Sequence, residues 1–220
     1  IPQTEFLKTF EISIQLGAIA AVVILYFKSF THFETLKKIA AAFIPTSIIG
    51  LLFYSFAKQH LLGNEHVTLL ALVLGGIVLI AFELYYKKKT VDTLPTENIS
   101  YKQAMLIGIF QSLAIIPGVS RSAASIVGGL LLGISRKTVV EFSFLLAVPT
   151  IGAATGLDIL KNYKLFSSEN LLLLVVGFIV SLAVALASIR FLLKFIQKYT
   201  FIPFGLYRII FALIVWFIII

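Results

Sequence analysis

PGVSRSAAS, residues 117–125, breaks into a membrane-like stretch between AMLIGIFQSLAII (104–116) and IVGGLLLGI (126–134). A proline, a glycine, three serines and an arginine stand where apolar residues would continue a span. The two flanking arms hold 13 and 9 residues. At about 1.5 Å of rise per helical residue, neither can cross a hydrocarbon layer about 30 Å thick. The stretch from 104 to 134 is therefore expected to enter and leave the membrane on one face, as a re-entrant helical hairpin with the polar nonapeptide at its tip.

The rest of the chain supports a membrane setting. Of 220 residues, 60% are hydrophobic and 13% charged, with a mean hydropathy of +1.04. Apolar runs of spanning length recur at 10–27, 39–56, 67–86, 139–160, 171–193 and 202–220. Lipid leaves unpaired backbone groups unsatisfied, and no period-two alternation suggests a barrel, so the runs are read as helices. The predicted fold class is an all-α polytopic membrane protein of six transmembrane helices plus one re-entrant hairpin. The net charge of +8 sits in short loops, as membrane topology requires, and gives no reason to expect nucleic acid. Without cysteine, the chain can form neither disulfides nor thiolate metal sites.

The loop charges orient the spans. Lys28, Lys37, Lys38, Lys87, Lys88, Lys89, Lys102, Arg136, Lys137, Arg190, Lys194 and Lys198 fall on one side, and Lys58, Lys161 and Lys164 on the other, 12 against 3. That bias arises only if 104–134 returns to the face it entered from.

At the tip, Pro117 ends the first arm, Gly118 permits a turn, and the serines can cap the second arm. A helix start carries partial positive charge. Arg121 adds a full charge in a planar fork that fits phosphate or carboxylate oxygens. A lone arginine near a span end usually snorkels, and a lone serine usually bonds its own helix. Their grouping after Pro-Gly, in a hairpin too short to span, points to an anion site instead. Gln111, on the first arm, is a further candidate substrate contact. His32, His60 and His66 read as loop residues remote from the tip.

A short internal match pairs FEISIQLGAIAA, from Phe10, with VEFSFLLAVPTIGAA, from Val140, aligning Glu11 with Glu141 and Ser13 with Ser143. Both glutamates read as structural, hydrogen-bonded to neighbouring hairpins. Two inverted repeats are expected, 1–100 with three spans and 101–220 with the hairpin plus three spans, which would place a site near the midplane at their junction. Ser120 precedes Glu141 by 21 residues, so the repeat predicts a partner hairpin about ten residues before Ile1. The absence of an initial methionine gives the same expectation, and residues 1–220 alone are then expected to be inactive.

Four elements, KTFEISIQLGAIAAVV, SYKQAMLIGIFQSLAIIPGVSRSAASIVGGLLLGISR, EFSFLLAVPTIGAATGLD and FIPFGLYRI, resemble in order those of the undecaprenyl-diphosphate phosphatases, also called bacitracin-resistance proteins. The resemblance implies hydrolysis of a polyprenyl diphosphate lipid to its monophosphate and inorganic phosphate, recycling a cell-wall lipid carrier. It implies a divalent cation, magnesium or calcium, and a multi-pass protein of the bacterial plasma membrane whose site opens outward. It transfers catalytic roles onto Ser120, Arg121 and Ser122. Ser125 stands where the family has threonine and Ala123 where it has glycine. Gly118 and Ser125 join Gln111 as substrate contacts. The family's paired glutamates and Ser-Ser-Thr-Gly-His stretch would precede this chain, so no metal ligand is assigned within it. A homodimer is compatible with this reading. The attacking group is left open between serine, histidine and water. Two other readings fit the residues themselves: a secondary transporter, since inverted repeats with polar re-entrant tips are a transporter design, and a lipid-diphosphate binder without turnover.

Overall fold

The computed structural model describes residues 5–86, 96–162 and 171–219. Nine α-helices occur among them: α1 (Glu5–Leu25), α2 (Phe27–Thr31), α3 (Phe33–His60), α4 (Glu65–Tyr86), α5 (Tyr101–Ser112), α6 (Arg121–Leu131), α7 (Arg136–Asn162), α8 (Leu171–Lys198) and α9 (Ile202–Ile219). Single 3-10 turns cover Thr96–Asn98 and Leu113–Ile115. Lys87, Lys88, Lys89 and Lys164, which entered the charge count, lie outside the described residues.

Helices α3, α4, α7 and α8 are long and apolar enough to cross a membrane. The apolar stretches Thr9–Leu25 and Ile202–Ile218 are shorter. They take the places expected of the first and last spans. Large apolar side chains face outward along these helices: Leu51, Leu52, Leu172 and Phe217 are 73–84% exposed. Water would penalise such a surface, whereas lipid tails solvate it. The chain is an all-α polytopic membrane protein.

Two compact units are present, one formed by 1–36 with 144–194, the other by 37–143 with 195–220. In the first, α1 and α8 meet through small and hydroxyl residues. A Cβ on Gly17 would lie 2.5 Å from the Phe178 carbonyl oxygen, so only glycine allows this approach. Hydroxyls then bind across the close contact, Ser13 Oγ donating to Leu174 O at 2.6 Å and Ser181 Oγ to Ile14 O at 2.7 Å. Thr155 Oγ1 donates to Gln15 Oε1 at 2.7 Å. Packing of this kind holds helices together where no hydrophobic effect separates protein from solvent. Glu11 is exposed, and Glu141, in the other unit, is half-buried.

The second unit contains the hairpin. Ser100 and Gln103 form a reciprocal capping box that starts α5. The Gln103 amide also donates to Leu132 O at 3.2 Å, closing the hairpin at its base. Helix α6 stops in a Schellman arrangement: Ile134 N–H reaches Gly129 O at 3.1 Å and Gly133 N–H reaches Leu130 O at 3.0 Å, with Gly133 at φ +78°. Close-packed glycines fix the hairpin against its surroundings. A Cβ on Gly108 would lie 2.0 Å from Ala42 O, and one on Gly128 2.5 Å from the Phe110 ring.

The same unit carries a buried charge pair. Glu83, 1% exposed, accepts from Arg136 Nη2 at 2.5 Å and from the Phe201 N–H at 3.1 Å, while Arg136 Nη1 donates to Tyr199 O at 3.0 Å. The end of α4, the start of α7 and the α8–α9 turn are thereby joined. Helices α4 and α9 pack through Gly76 and Gly205: a Cβ on Gly76 would lie 2.7 Å from Gly205 O, and one on Gly205 2.8 Å from Gly76 O.

Candidate functional site

The tip is built by a turn and a cap. Val119 N–H donates to Ile116 O at 3.0 Å, Pro117 and Gly118 occupy the central positions, and Gly118 has φ +87°. This is the pattern of a type II turn, in which proline presets the first central dihedral and glycine supplies the positive one. Ser120 follows in extended conformation (φ −73°, ψ 121°) as the N-cap of α6. Its Oγ accepts from Ala123 N–H at 3.3 Å. The second arm thus begins at Arg121 rather than near residue 126. The N-cap places the helix start five residues earlier than the apolar run does, so the non-helical tip is confined to about Ile116–Ser120.

Within this frame the predicted residues separate. Ser120, Arg121 and Ser122 are all partly buried around the helix start, and the Ser120 and Ser122 hydroxyl oxygens lie 3.5 Å apart. Ser125 is one turn on and 0% exposed. Its Oγ lies 3.1 Å from Arg121 O and 3.0 Å from Ser122 O, and 2.7 Å from the Ser143 Oγ of α7. The hydroxyl is committed to protein partners, a placement suited to bracing the tip. Gln111 is 2% exposed within the unit. Gly118 serves by conformation: its φ is positive, and a Cβ there would lie 2.3 Å from Thr68 O.

The histidines are elsewhere. His32 is the C-cap of α2, His60 Nδ1 lies 3.2 Å from Phe56 O, and the His66 ring meets Trp216 edge-on at 5.5 Å. All three are exposed. Among the described residues no group of three or more His, Cys, Asp or Glu gathers as a metal site.

Two features of the site were not anticipated. An apolar cavity of about 520 Å³ adjoins the tip, walled by Leu70, Leu74 and Val78 of α4 and Ala124 and Val127 of α6. Ser120 and Arg208 bring polar groups to this lining. Arg208, on α9, donates from Nη2 to the Gly118 carbonyl at 2.7 Å. The sequence carried a signal for it, an arginine inside the apolar run 202–220, and intramembrane charges are costly enough to imply a task. A helix start whose cap, Ser120, lines an apolar cavity and whose first residue is Arg121 can bind an amphiphile whose head is anionic and whose tail is hydrocarbon.

Comparison with known proteins gives a consistent result. The sequence model of the family described as Bacitracin resistance protein BacA matches residues 2–214. A protein of Sulfurihydrogenibium sp. (strain YO3AOP1), named undecaprenyl-diphosphatase, is 51% identical over 214 residues, 97% of this chain and 84% of that protein. Proteins of the same name from Persephonella marina and Aquifex aeolicus are 47% and 46% identical, with the same two coverages.

Proposed function

Because the chain belongs to the bacitracin-resistance protein BacA family, we propose that it is an integral membrane phosphatase that hydrolyses undecaprenyl diphosphate to undecaprenyl phosphate and inorganic phosphate. The product is the lipid carrier in the form that cell-wall synthesis can reload, and depleting the diphosphate accounts for resistance to bacitracin. The observation that carries the reading is the start of α6, where the capping Ser120 lines an apolar cavity and Arg121 follows it in the first turn. A lipid phosphate needs both.

The reaction breaks the phosphoanhydride bond between the two phosphorus atoms. A nucleophile adds to the terminal phosphorus while the bridging oxygen leaves on the lipid phosphate. Charge on the equatorial oxygens must be held by groups already in place. Arg121 provides the planar fork for two of those oxygens, and the α6 N-terminus provides the local positive field. The Ser120 oxygen already accepts from Ala123 N–H. This leaves its O–H to donate toward a phosphate, and Ser122, 3.5 Å away, can donate beside it. Ser120 and Ser122 thus orient the terminal phosphate. The first isoprene units lie in the apolar cavity.

A divalent cation, magnesium or calcium, belongs to the proposal as the counter-charge for the diphosphate. The tip itself offers a metal no carboxylate or imidazole, only a guanidinium that repels it and serine hydroxyls already engaged in the cap, and no step above passes through one. The bacterial plasma membrane is the proposed location, with the lysine-rich loops inside. The repeat organisation, 1–100 and 101–220, is also a proposal. It rests on the internal match that aligns Glu11 and Ser13 with Glu141 and Ser143.

The test is phosphate release from undecaprenyl diphosphate by the purified full-length protein in detergent, with magnesium or calcium added. Release that stops on chelation supports the whole proposal. Tight lipid binding with no release would replace it with a binding protein.

A further inference from the structure

Arg208 has no part in the chemistry above, yet its guanidinium is placed with care. It lies on α9, inside an apolar helix, and one of its nitrogens donates to the Gly118 carbonyl at 2.7 Å. Its Nε is buried and makes no hydrogen bond. A charged group at membrane depth with an unsatisfied nitrogen is expensive. Such a cost is tolerated where the remaining contact does something that an apolar side chain cannot.

The contact is made to a specific point. Gly118 is the positive-φ residue of the tip turn, and its carbonyl is two residues before Ser120 and three before Arg121. On its other side Gly118 presses against α4, where a Cβ would lie 2.3 Å from Thr68 O and 3.1 Å from the Ala71 Cβ. The turn is therefore held from α4 by close packing and from α9 by a charge-assisted hydrogen bond. Gly75 of α4 makes the berth for this arginine: a Cβ there would lie 2.6 Å from Arg208 Nη2. Glycines on both sides of the guanidinium, one in the turn and one in the helix, leave it a slot with one strong acceptor.

We infer that Arg208 is a positioning residue for phosphate transfer, clamping the Gly118 carbonyl so that Ser120 and Arg121 are presented at a fixed angle to the substrate. It acts through the turn and does not touch the reacting atoms. The inference rests on reading the tip as the phosphate site. Misplacing a catalytic group by about 1 Å can cost about a hundredfold in rate. Binding by the lipid tail does not depend on that angle, so the loss falls on kcat.

Two variants separate the clamp from general stability. Arg208→Ala removes it. Gly75→Ala leaves Arg208 in the sequence but displaces the flexible end of its side chain from the berth. In full-length protein both should lower kcat on undecaprenyl diphosphate by about tenfold to a hundredfold, with KM within about twofold. Added guanidinium at millimolar concentration should restore part of the Arg208→Ala rate, and Arg208→Lys should lie between wild type and Arg208→Ala. Hydrogen exchange of the amides of residues 118–123 should quicken in both variants. Unchanged kcat and unchanged exchange would overturn the clamp, as would a rate loss that follows loss of folded protein and ignores guanidinium. If wild-type protein releases no phosphate, the phosphatase reading fails. The exchange measurement then decides the clamp alone: faster exchange at the tip sustains it and equal exchange removes it.

Discussion

Ser120 and Ser125 belong to one nonapeptide and do different work. Ser120 caps α6 and faces the apolar cavity. Ser125 is fully enclosed and bonded to Ser143 at 2.7 Å. Replacing Ser125 or Ser143 by alanine should cost about 0.5–1.5 kcal/mol, as buried interhelical hydrogen bonds do. The two costs should not add, because each change removes the same bond. Thermal unfolding in detergent reads this directly, and turnover per folded molecule should fall less than for Ser120→Ala. The division was not legible in the sequence. Spacing along a helix gives relative direction, but which side faces protein is decided by α7, whose Ser143 lies 18 residues away. Arg208 was hidden for a similar reason. It could be seen as a charge within a span, but its partner, Gly118 O, is 90 residues distant.

The hairpin was the most legible of the elements, because arm length alone forbids a crossing. The helices of its arms, α5 and α6, hold 12 and 11 residues, about 18 and 17 Å by helical rise. The apolar run of its second arm starts five residues after the helix does, and the serine cap expected for that arm is Ser120. Hydrophobicity marks where a helix becomes apolar, whereas the Ser120 cap marks where it begins. The glycines that shape the element make a graded prediction. Gly133 has φ +78° with nothing within 4 Å of an added Cβ, so Gly133→Ala should cost about 1–2 kcal/mol of stability from backbone strain alone. Gly118 combines φ +87° with a Cβ position 2.3 Å from Thr68 O. Gly118→Ala must therefore move the turn, and should lose turnover as well as stability. Comparing unfolding midpoints and rates for the two variants checks the grading. Equal effects would show that packing against α4 is unimportant.

At the scale of the molecule, the proposed orientation rests on the loop charges of the sequence. Lys102 and Lys137 flank the hairpin, and both are exposed. The chain has no cysteine of its own, so single cysteines introduced there report cleanly. Both should label from the cytoplasmic side, and labelling from opposite faces would make the hairpin a span. Composition made the membrane class legible. The apolar cavity beside the tip was not, because its walls come from α4 and α6, which only folding brings together. The central claim is that the Arg121-bearing tip of this membrane protein holds the phosphate being transferred. It is tested most directly by phosphate release from undecaprenyl diphosphate in liposomes, comparing wild-type protein with Arg121→Lys at equal amounts of folded protein. Lysine keeps the charge but loses the planar fork, and the account predicts a fall of about a hundredfold or more, with the lipid still bound. Release by Arg121→Lys at the wild-type rate would contradict it.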